Sequence, residues 1–286
     1  MFKNAVAKCL LMSLIVLTIA ACTSCVTNSY LFGEGNIFRS QRRSFIKIKT
    51  LRRVLIAKTS SDTPQSVIAE FDIELASTAS GVILKHYRDM SLIATSAHVC
   101  SIKHGSQLNM FIPDYDKNDP TWHLLEKNYF SLYDLNGKHS TGAILSIDYI
   151  SDLCILVTKK VQMPSAKISL MDPIVGEKYY NIAAPHGIWG KKAVPLLEGR
   201  FVGKTSSPFT GGSTYMFTIP AAGGSSGSPI FNWYGEIVGL VHSAYRNFNN
   251  VSMAATNDQL TVLLSNSMMK LRKHYSAYAV ILSINN

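Results

Sequence analysis

The chain has 286 residues, of which 47% are hydrophobic and 16% are charged. This length allows a sizeable core, and the composition is that of a globular protein, so a disordered chain is excluded. The formal net charge of +10 could attract nucleic acid or an anionic membrane surface. Because the sequence carries no zinc-finger spacing, RNA-binding aromatic motif or recognition-helix pattern, we do not expect nucleic acid as a partner.

The first 21 residues have the features of an export signal. Lys3 and Lys8 make the start positive, and the apolar run that follows is too short to cross a bilayer comfortably. The small residues before Cys22 resemble the lipobox of bacterial lipoproteins, in which the cysteine is lipidated and becomes the mature N-terminus. Cleavage after Ala21 without a lipid is the alternative. We therefore predict a signal peptide over residues 1–21 and an exported lipoprotein, anchored to a membrane and facing the periplasm or the cell exterior.

Residues 22–60 are predicted to form a basic tether or N-terminal arm. Between residues 39 and 58 there is no acidic residue, and the basic residues are Arg39, Arg42, Arg43, Lys47, Lys49, Arg52, Arg53 and Lys58. Beside a lipid anchor, this segment would be attracted to anionic head groups. A solvated basic arm is an equal alternative. Apolar residues from Phe45 to Leu51 indicate that part of the run pairs as a strand.

From about residue 65 the chain shows short strands and turns with little helical periodicity. Strands are predicted at 66–69, 81–84, 91–95, 130–133, 141–147, 152–157, 179–183, 196–202 and 215–219, and a long surface loop at 103–126. Asn136–Gly137 is a strong hairpin signal. This rhythm predicts an all-β sandwich or barrel. A C-terminal helix, capped by Asn257 or Asp258, is predicted to follow.

The stretch 223–229 places a serine among glycines, between two β-type runs. Gly224 and Gly227 can adopt backbone conformations that are closed to other residues. The N–H groups of Gly224 and Ser226 could then converge as an oxyanion hole, with the Ser226 hydroxyl poised to attack a bound carbonyl. A flexible Gly/Ser turn is the alternative.

A serine nucleophile needs a base to take its proton, and the base needs a third group that orients it. Among eight histidines, His98 follows an apolar strand that breaks into a turn of small residues, so its imidazole could project into a cleft. His186 and His242 are weaker candidates. Asp152 heads an apolar strand, where a carboxylate is costly to bury without a partner. Asp148 is the alternative acid.

With the order His98, Asp152, Ser226, the chain resembles the trypsin-like serine protease superfamily, in particular the bacterial Deg-type proteases and the glutamyl endopeptidases. The motifs that carry the resemblance are Ala94–His98, Ser151–Leu156 and Ser225–Asn232, with Ser80–Ile83 as a supporting match. The resemblance implies two six-stranded Greek-key β-barrels, over 61–165 and 166–255, and a C-terminal helix and tail over 256–286. The active site would lie in the cleft between the barrels.

The resemblance also implies a serine endopeptidase that cleaves protein or peptide substrates through an acyl-enzyme, with no cofactor and no metal. A catalytically silent binding or scaffold protein on the same fold is the alternative. Deg-type proteins usually carry a C-terminal PDZ domain, and because few residues follow Tyr245, we do not expect one here.

The pocket that would select the substrate is predicted from four positions. Pro220 stands where trypsins carry an acidic residue, so a basic preference is not expected. His242 lies one residue beyond the position at which glutamyl endopeptidases carry a histidine, and a slip of one residue turns a strand side chain to the other face. Ser243 and Ala244 are small. We therefore expect a preference for small or apolar side chains.

Two cysteines lie close to the candidate site residues. Cys100 is two residues after His98, and Cys154 is two residues after Asp152. If His98 and Asp152 meet, the cysteines could form a disulfide, and two buried free thiols are the equal alternative.

Overall fold

The computed structural model describes residues 34–59, 67–102, 112, 119–207, 211–245 and 248–284. The chain divides into two units, Met1–Ser40 and Gln41–Asn286. The described residues of the first unit start at Glu34 and belong to the helix α1 (Glu34–Gln41). The second unit contains the twelve strands that the structure describes and three further described α-helices.

The twelve strands form two closed antiparallel barrels of six strands each, in the orders β1-β2-β3-β6-β5-β4 and β10-β11-β12-β9-β8-β7. The strands of the first barrel are β1 (Phe45–Thr59), β2 (Val67–Tyr87), β3 (Met90–Thr95), β4 (Trp122–Tyr133), β5 (His139–Asp148) and β6 (Leu153–Lys159). Those of the second are β7 (Lys178–Ile182), β8 (Leu196–Ser206), β9 (Ser213–Phe217), β10 (Pro229–Phe231), β11 (Ile237–Tyr245) and β12 (Phe248–Thr256). The predicted all-β, two-barrel fold is therefore confirmed.

The first barrel begins at Phe45, so its predicted start at residue 61 is wrong. β1 pairs with β2 on one side and with β4 on the other. Its side chains alternate, because apolar residues such as Ile46, Ile48 and Val54 are buried while the lysines between them face outward. Of the charge run that predicted an arm, Lys47, Lys49 and Arg53 therefore lie on the outward face of a barrel strand, whereas Arg52 is buried.

Two further predicted boundaries differ from the structure. β2 runs without interruption from Val67 to Tyr87, so it unites the two strands that were predicted at 66–69 and 81–84. The predicted loop at 103–126 ends earlier, because β4 begins at Trp122. Most of the remaining loop prediction lies outside the described residues.

The second barrel is filled by aromatic side chains, and the C-terminal helices follow it. Tyr179, Phe201, Tyr215 and Phe217 are buried together, with Phe201 and Tyr215 packed edge to face. The helices are α3 (Asn257–Lys273) and α4 (Tyr275–Ile284), and the short helix α2 (Ala97–Cys100) lies in the first barrel.

The N-cap of α3 is Thr256, which precedes both predicted caps, Asn257 and Asp258, and it forms a capping box with Gln259. The second C-terminal helix was not predicted. In the part of the chain that the structure describes, no helix has the length and apolar character needed to span a membrane.

Candidate active site

His98 and Asp152 meet at one end of the first barrel. His98 lies in α2, directly after β3, and Asp152 lies in the turn between β5 and β6. Asp152 has a φ of 50°, a left-handed conformation that aspartate tolerates better than most residues. The N–H of His98 donates to Asp152 Oδ1 over 2.9 Å, and the N–H of Ala97 donates to the Asp152 carbonyl over 3.1 Å. The carboxylate is therefore fixed to the main chain of the residue that it faces.

The imidazole of His98 lies between the carboxylate and the serine hydroxyl. Its Nδ1 is 2.7 Å from Asp152 Oδ2, and its Nε2 is 2.9 Å from Ser226 Oγ. The side chains of His98 and Asp152 are 34% and 15% exposed, so the imidazole is reachable while the carboxylate is largely covered. Because an ionised carboxylate only accepts hydrogen bonds, Asp152 favours the tautomer with hydrogen on Nδ1. Nε2 then has a free lone pair toward the Ser226 proton.

A disulfide joins the two segments that carry His98 and Asp152. Cys100 in α2 and Cys154 in β6 are bonded, with an S–S distance of 2.07 Å and a Cα–Cα distance of 6.5 Å. Both cysteines are fully buried. The sequence left this pairing open against two free thiols, and the structure has the disulfide.

A buried arginine also holds the main chain of α2. Arg52 of β1 is 4% exposed, and its Nη2 donates to the carbonyls of Val99, at 3.0 Å, and His98, at 3.3 Å. Its Nε lies 2.9 Å from Glu126 Oε1 and donates to Asn128 Oδ1 over 2.8 Å. Burial lowers the pKa of Arg52, and the charge of Glu126 opposes that shift. The run of basic residues predicts Arg52 as part of a basic arm, and the sequence gives no sign of this contact with α2.

The turn that carries Ser226 requires glycine at two positions. Gly224 and Gly227 have φ values of 96° and 82°, in the region that favours glycine. A Cβ on Gly227 would overlap Thr95 Oγ1 and the Ser80 carbonyl, so this turn packs directly on the first barrel. The Gly223 carbonyl accepts from the His186 N–H at 2.5 Å, which fixes the orientation of the peptide group whose N–H belongs to Gly224. Among the described residues, the N–H groups of Gly224 and Ser226 have no hydrogen-bond partner.

Ser80 of β2 connects this turn to the first barrel. Its N–H donates to the Ser226 carbonyl over 2.9 Å, and its hydroxyl donates to the Gly224 carbonyl over 2.8 Å. The same hydroxyl accepts from the Ala184 N–H at 3.0 Å. The Ser80 side chain is completely buried. The motif Ser80–Ile83 supports the family resemblance, but nothing in the sequence indicates this contact with the turn that carries Ser226.

A cavity of about 580 Å³ opens beside Ser226. Three of the four predicted pocket residues, Pro220, Ser243 and Ala244, line it, together with apolar side chains such as Leu197 and Val241. Ser243 Oγ is buried and has no hydrogen-bond partner among the described residues. Within the described part of the chain, no group of three or more His, Cys, Asp or Glu side chains could hold a metal ion.

His242 does not line this cavity, so its predicted place in the pocket is wrong. Val241 and Ser243 line the cavity, and the side chain between them on β11 points to the other face of the strand. Thr214 Oγ1 donates its one hydrogen to the Ala254 carbonyl over 2.9 Å. It must therefore accept from His242 Nε2, which is 2.9 Å away. Burial lowers the pKa of His242 to about 4, opposed by the charge of Asp152.

The export prediction concerns residues that the structure does not describe. Residues 1–21 and the candidate lipidation site Cys22 lie outside the described range. Both remain predictions.

The fold can be compared with known proteins now that its geometry is established. No curated protein sequence matches the chain significantly. Among solved structures, the serine endoprotease from Yersinia pestis is 15% identical, with a TM-score of 0.55 over 83% of this chain and 67% of that one. The active form of the Rv3671c protease from M. tuberculosis is also 15% identical, with a TM-score of 0.54 over 80% of this chain and 82% of that one. At this identity, the likeness shows a shared fold.

A family model assigns the chain to a protein family. The model for the trypsin-like peptidase domain matches residues 79–240, a range that holds His98, Asp152 and Ser226 and covers more than half of the chain. The chain therefore belongs to the trypsin-like peptidase domain family.

Proposed function

We propose that the protein is a serine endopeptidase that cleaves peptide bonds through an acyl-enzyme. The observation that carries the proposal is the continuous set of contacts from Asp152 through His98 to Ser226. Ser226 Oγ attacks the substrate carbonyl while His98 Nε2 takes its proton. His98 then gives that proton to the leaving amine, Asp152 stabilises the imidazolium, and water hydrolyses the ester.

The turn before Ser226 supplies the oxyanion hole in this mechanism. The N–H groups of Gly224 and Ser226 have no other partner among the described residues, so both can donate to the negative oxygen of the tetrahedral intermediate. Donors that are already oriented stabilise this charge without reorganising, and removal of one such donor typically lowers kcat by about 10² to 10³.

The cavity beside Ser226 binds the substrate side chain that precedes the scissile bond. Among the described residues, no carboxylate, lysine or arginine lines it, and most of the described lining is apolar. A charged side chain would lose its hydration there without gaining a partner of opposite charge. The enzyme therefore prefers small or apolar side chains at this position.

The enzyme acts outside the cytoplasm in this proposal, tethered to a membrane through lipidated Cys22. The buried disulfide supports export, because disulfides persist mainly in oxidising compartments. Expression with an alkyne-tagged fatty acid tests the anchor. The tag should label the wild type and not Cys22→Ala, and equal labelling of the two would exclude Cys22 as the attachment site.

The catalytic proposal is tested by labelling with a fluorophosphonate, which reacts with activated serines. The folded protein should be labelled, and Ser226→Ala should not. Ser225→Ala is a matched control, because it removes the neighbouring buried serine and should leave labelling intact. Absence of labelling in folded wild-type protein would overturn the proposal and favour a binding protein on a protease fold.

A further inference from the structure

Both main-chain polar groups of His98 are bonded to charged side chains. Asp152 Oδ1 accepts from the His98 N–H at 2.9 Å, and Arg52 Nη2 donates to the His98 carbonyl over 3.3 Å. The same Nη2 donates to the Val99 carbonyl over 3.0 Å. Because α2 has only four residues, its last carbonyls have no partner within the helix. The position of His98 therefore depends on groups outside α2.

Glu126, the ionic partner of Arg52, holds the segment that leaves α2. The Ser101 hydroxyl donates to Glu126 Oε2 over 2.8 Å, and the Ile102 N–H donates to Glu126 Oε1 over 2.9 Å. Arg52 Nε lies 2.9 Å from the same Oε1. The two members of one ion pair thus bind the carbonyls of α2 and the residues that follow it.

The ion pair is fixed to two neighbouring strands of the first barrel. Arg52 of β1 is directly opposite Asn128 of β4, and Val54 is directly opposite Glu126. The Asn128 amide accepts from Arg52 Nε at 2.8 Å and donates to Glu126 Oε1 over 3.0 Å. The side chains of Arg52 and Glu126 are 5% and 3% exposed. The paired strands therefore serve as a rigid frame for α2.

The ion pair lies beside an apolar part of the barrel interior, so stability alone does not account for it. Val54, Ile56, Ile102 and Ile112 are buried together there. Replacing a buried ion pair by apolar residues of similar volume is often neutral or stabilising. Such residues would fill the space but could not donate to the carbonyls of α2. The ion pair therefore supplies hydrogen bonds of fixed direction to the main chain of the catalytic base.

We propose that Arg52 and Glu126 are positioning residues, which set the place of the His98 imidazole relative to Ser226. This inference rests on the proposed serine endopeptidase activity. His98 Nε2 must take a proton from Ser226 Oγ, 2.9 Å away in the other barrel, and a displacement of about 1 Å can slow such a step about 10²-fold. The planar guanidinium is needed because Nε bonds to β4 while Nη2 bonds to α2, and a lysine ammonium lacks this fork.

The test separates position from stability with the double variant Arg52→Met/Glu126→Gln, which leaves no unpaired buried charge. Urea denaturation should show that it remains folded with much of the wild-type stability. We expect the second-order rate of fluorophosphonate labelling of Ser226, and kcat for one peptide substrate, to fall about 10- to 100-fold. KM should stay nearly unchanged, because neither residue lines the cavity beside Ser226.

Arg52→Lys is the second variant, and it decides the question if the double variant does not fold. It keeps a positive charge next to Glu126 and loses the fork, so labelling and kcat should fall about tenfold. Arg53→Met is the control, because Arg53 pairs with Asp72 on the exposed face of β1 and its loss should leave the labelling rate unchanged.

The outcomes distinguish this inference from the proposed function. Wild-type rates of labelling and cleavage in a folded double variant, or in folded Arg52→Lys, would overturn this inference alone. A rise in KM at unchanged kcat would overturn it as well, because it would place the effect in substrate binding. No labelling of Ser226 in the folded wild type would overturn the proposed function, and this inference with it.

Discussion

The hydroxyl of Ser80 donates a hydrogen bond to the main-chain oxygen of Gly224, 2.8 Å away in the other barrel. The N–H of Gly224 is one of the two proposed oxyanion donors, so Ser80 fixes the residue that supplies it. The bond joins residues 144 positions apart and is completely buried. The turn with Gly224 and Ser226, which we call the oxyanion turn, is therefore held by the first barrel as well as by the second, which contains it.

Removing this hydroxyl should slow the chemical step more than it weakens substrate binding. In Ser80→Ala, the Gly224 carbonyl and the Ala184 N–H lose their shared partner, and the oxyanion turn gains freedom. We expect kcat to fall about 10-fold with KM nearly unchanged, which corresponds to a net hydrogen bond of about 1 to 1.5 kcal/mol. Steady-state kinetics with one peptide substrate measures both quantities.

Ser91→Ala is the control for Ser80→Ala. Ser91 is equally buried, and its hydroxyl accepts from the Val161 N–H and contacts His86 Nδ1, away from the site. It should lower stability by a similar amount and leave kcat unchanged. Equal losses of kcat in the two variants would show that Ser80 has only a structural role.

The buried pair of Arg52 and Glu126 leads to a prediction about stability. Arg52→Met would leave Glu126, whose side chain is 3% exposed, without its opposite charge. We expect the free energy of unfolding to fall by about 3 to 5 kcal/mol, because an unpaired buried charge is costly. The double variant Arg52→Met/Glu126→Gln removes that charge and should regain much of the loss. Urea denaturation monitored by tryptophan fluorescence gives the values.

The neighbouring arginine provides the comparison. Arg53 pairs with Asp72 on the exposed face of the same strand, so Arg53→Met should change stability little. If Arg52→Met were as mild as Arg53→Met, the buried network would not hold α2 in place.

The triad and the fold could be predicted because their signals are local. His98, Asp152 and Ser226 each stand in a short motif, and the alternation of strands and turns predicts an all-β sandwich or barrel without knowledge of the pairing. The choice of two barrels follows from the resemblance to the trypsin-like superfamily. The contacts of Ser80 have no local signal, because its partners Ala184 and Gly224 lie 104 and 144 residues away.

Two errors have a different physical origin. In β1, the high density of basic residues predicts an arm, although the apolar residues between them alternate as in a strand. Pairing with β2 and β4 buries those apolar residues and makes the segment part of the barrel. For His242, strand alternation decides the outcome, because Val241 and Ser243 line the cavity and the side chain between them faces away from it.

The disulfide should stabilise the protein without being needed for the geometry of the site. Cys100 and Cys154 are 54 residues apart. Closing a loop of this length reduces the conformational entropy of the unfolded chain and so raises its free energy by about 4 kcal/mol. Cys100→Ala/Cys154→Ala should lose about that much free energy of unfolding. At low temperature Ser226 should still be labelled by a fluorophosphonate, because His98 and Asp152 keep their own hydrogen bonds. Loss of labelling in a variant that remains folded would contradict this.

The buried histidine next to the triad should make stability depend on pH in a defined window. The pKa of His242 is about 4 in the folded protein, against 6.5 for a free histidine, because burial disfavours its charged form. Between these values the unfolded chain binds more protons than the folded one, so stability falls as the pH is lowered from 6.5 to 4. The shift corresponds to about 3 kcal/mol. In His242→Asn, whose amide can still donate to Thr214, this part of the loss should vanish. Urea denaturation at pH 4.5 and pH 7 measures the difference, and equal pH dependence in the two proteins would mean that His242 carries its proton in the folded state.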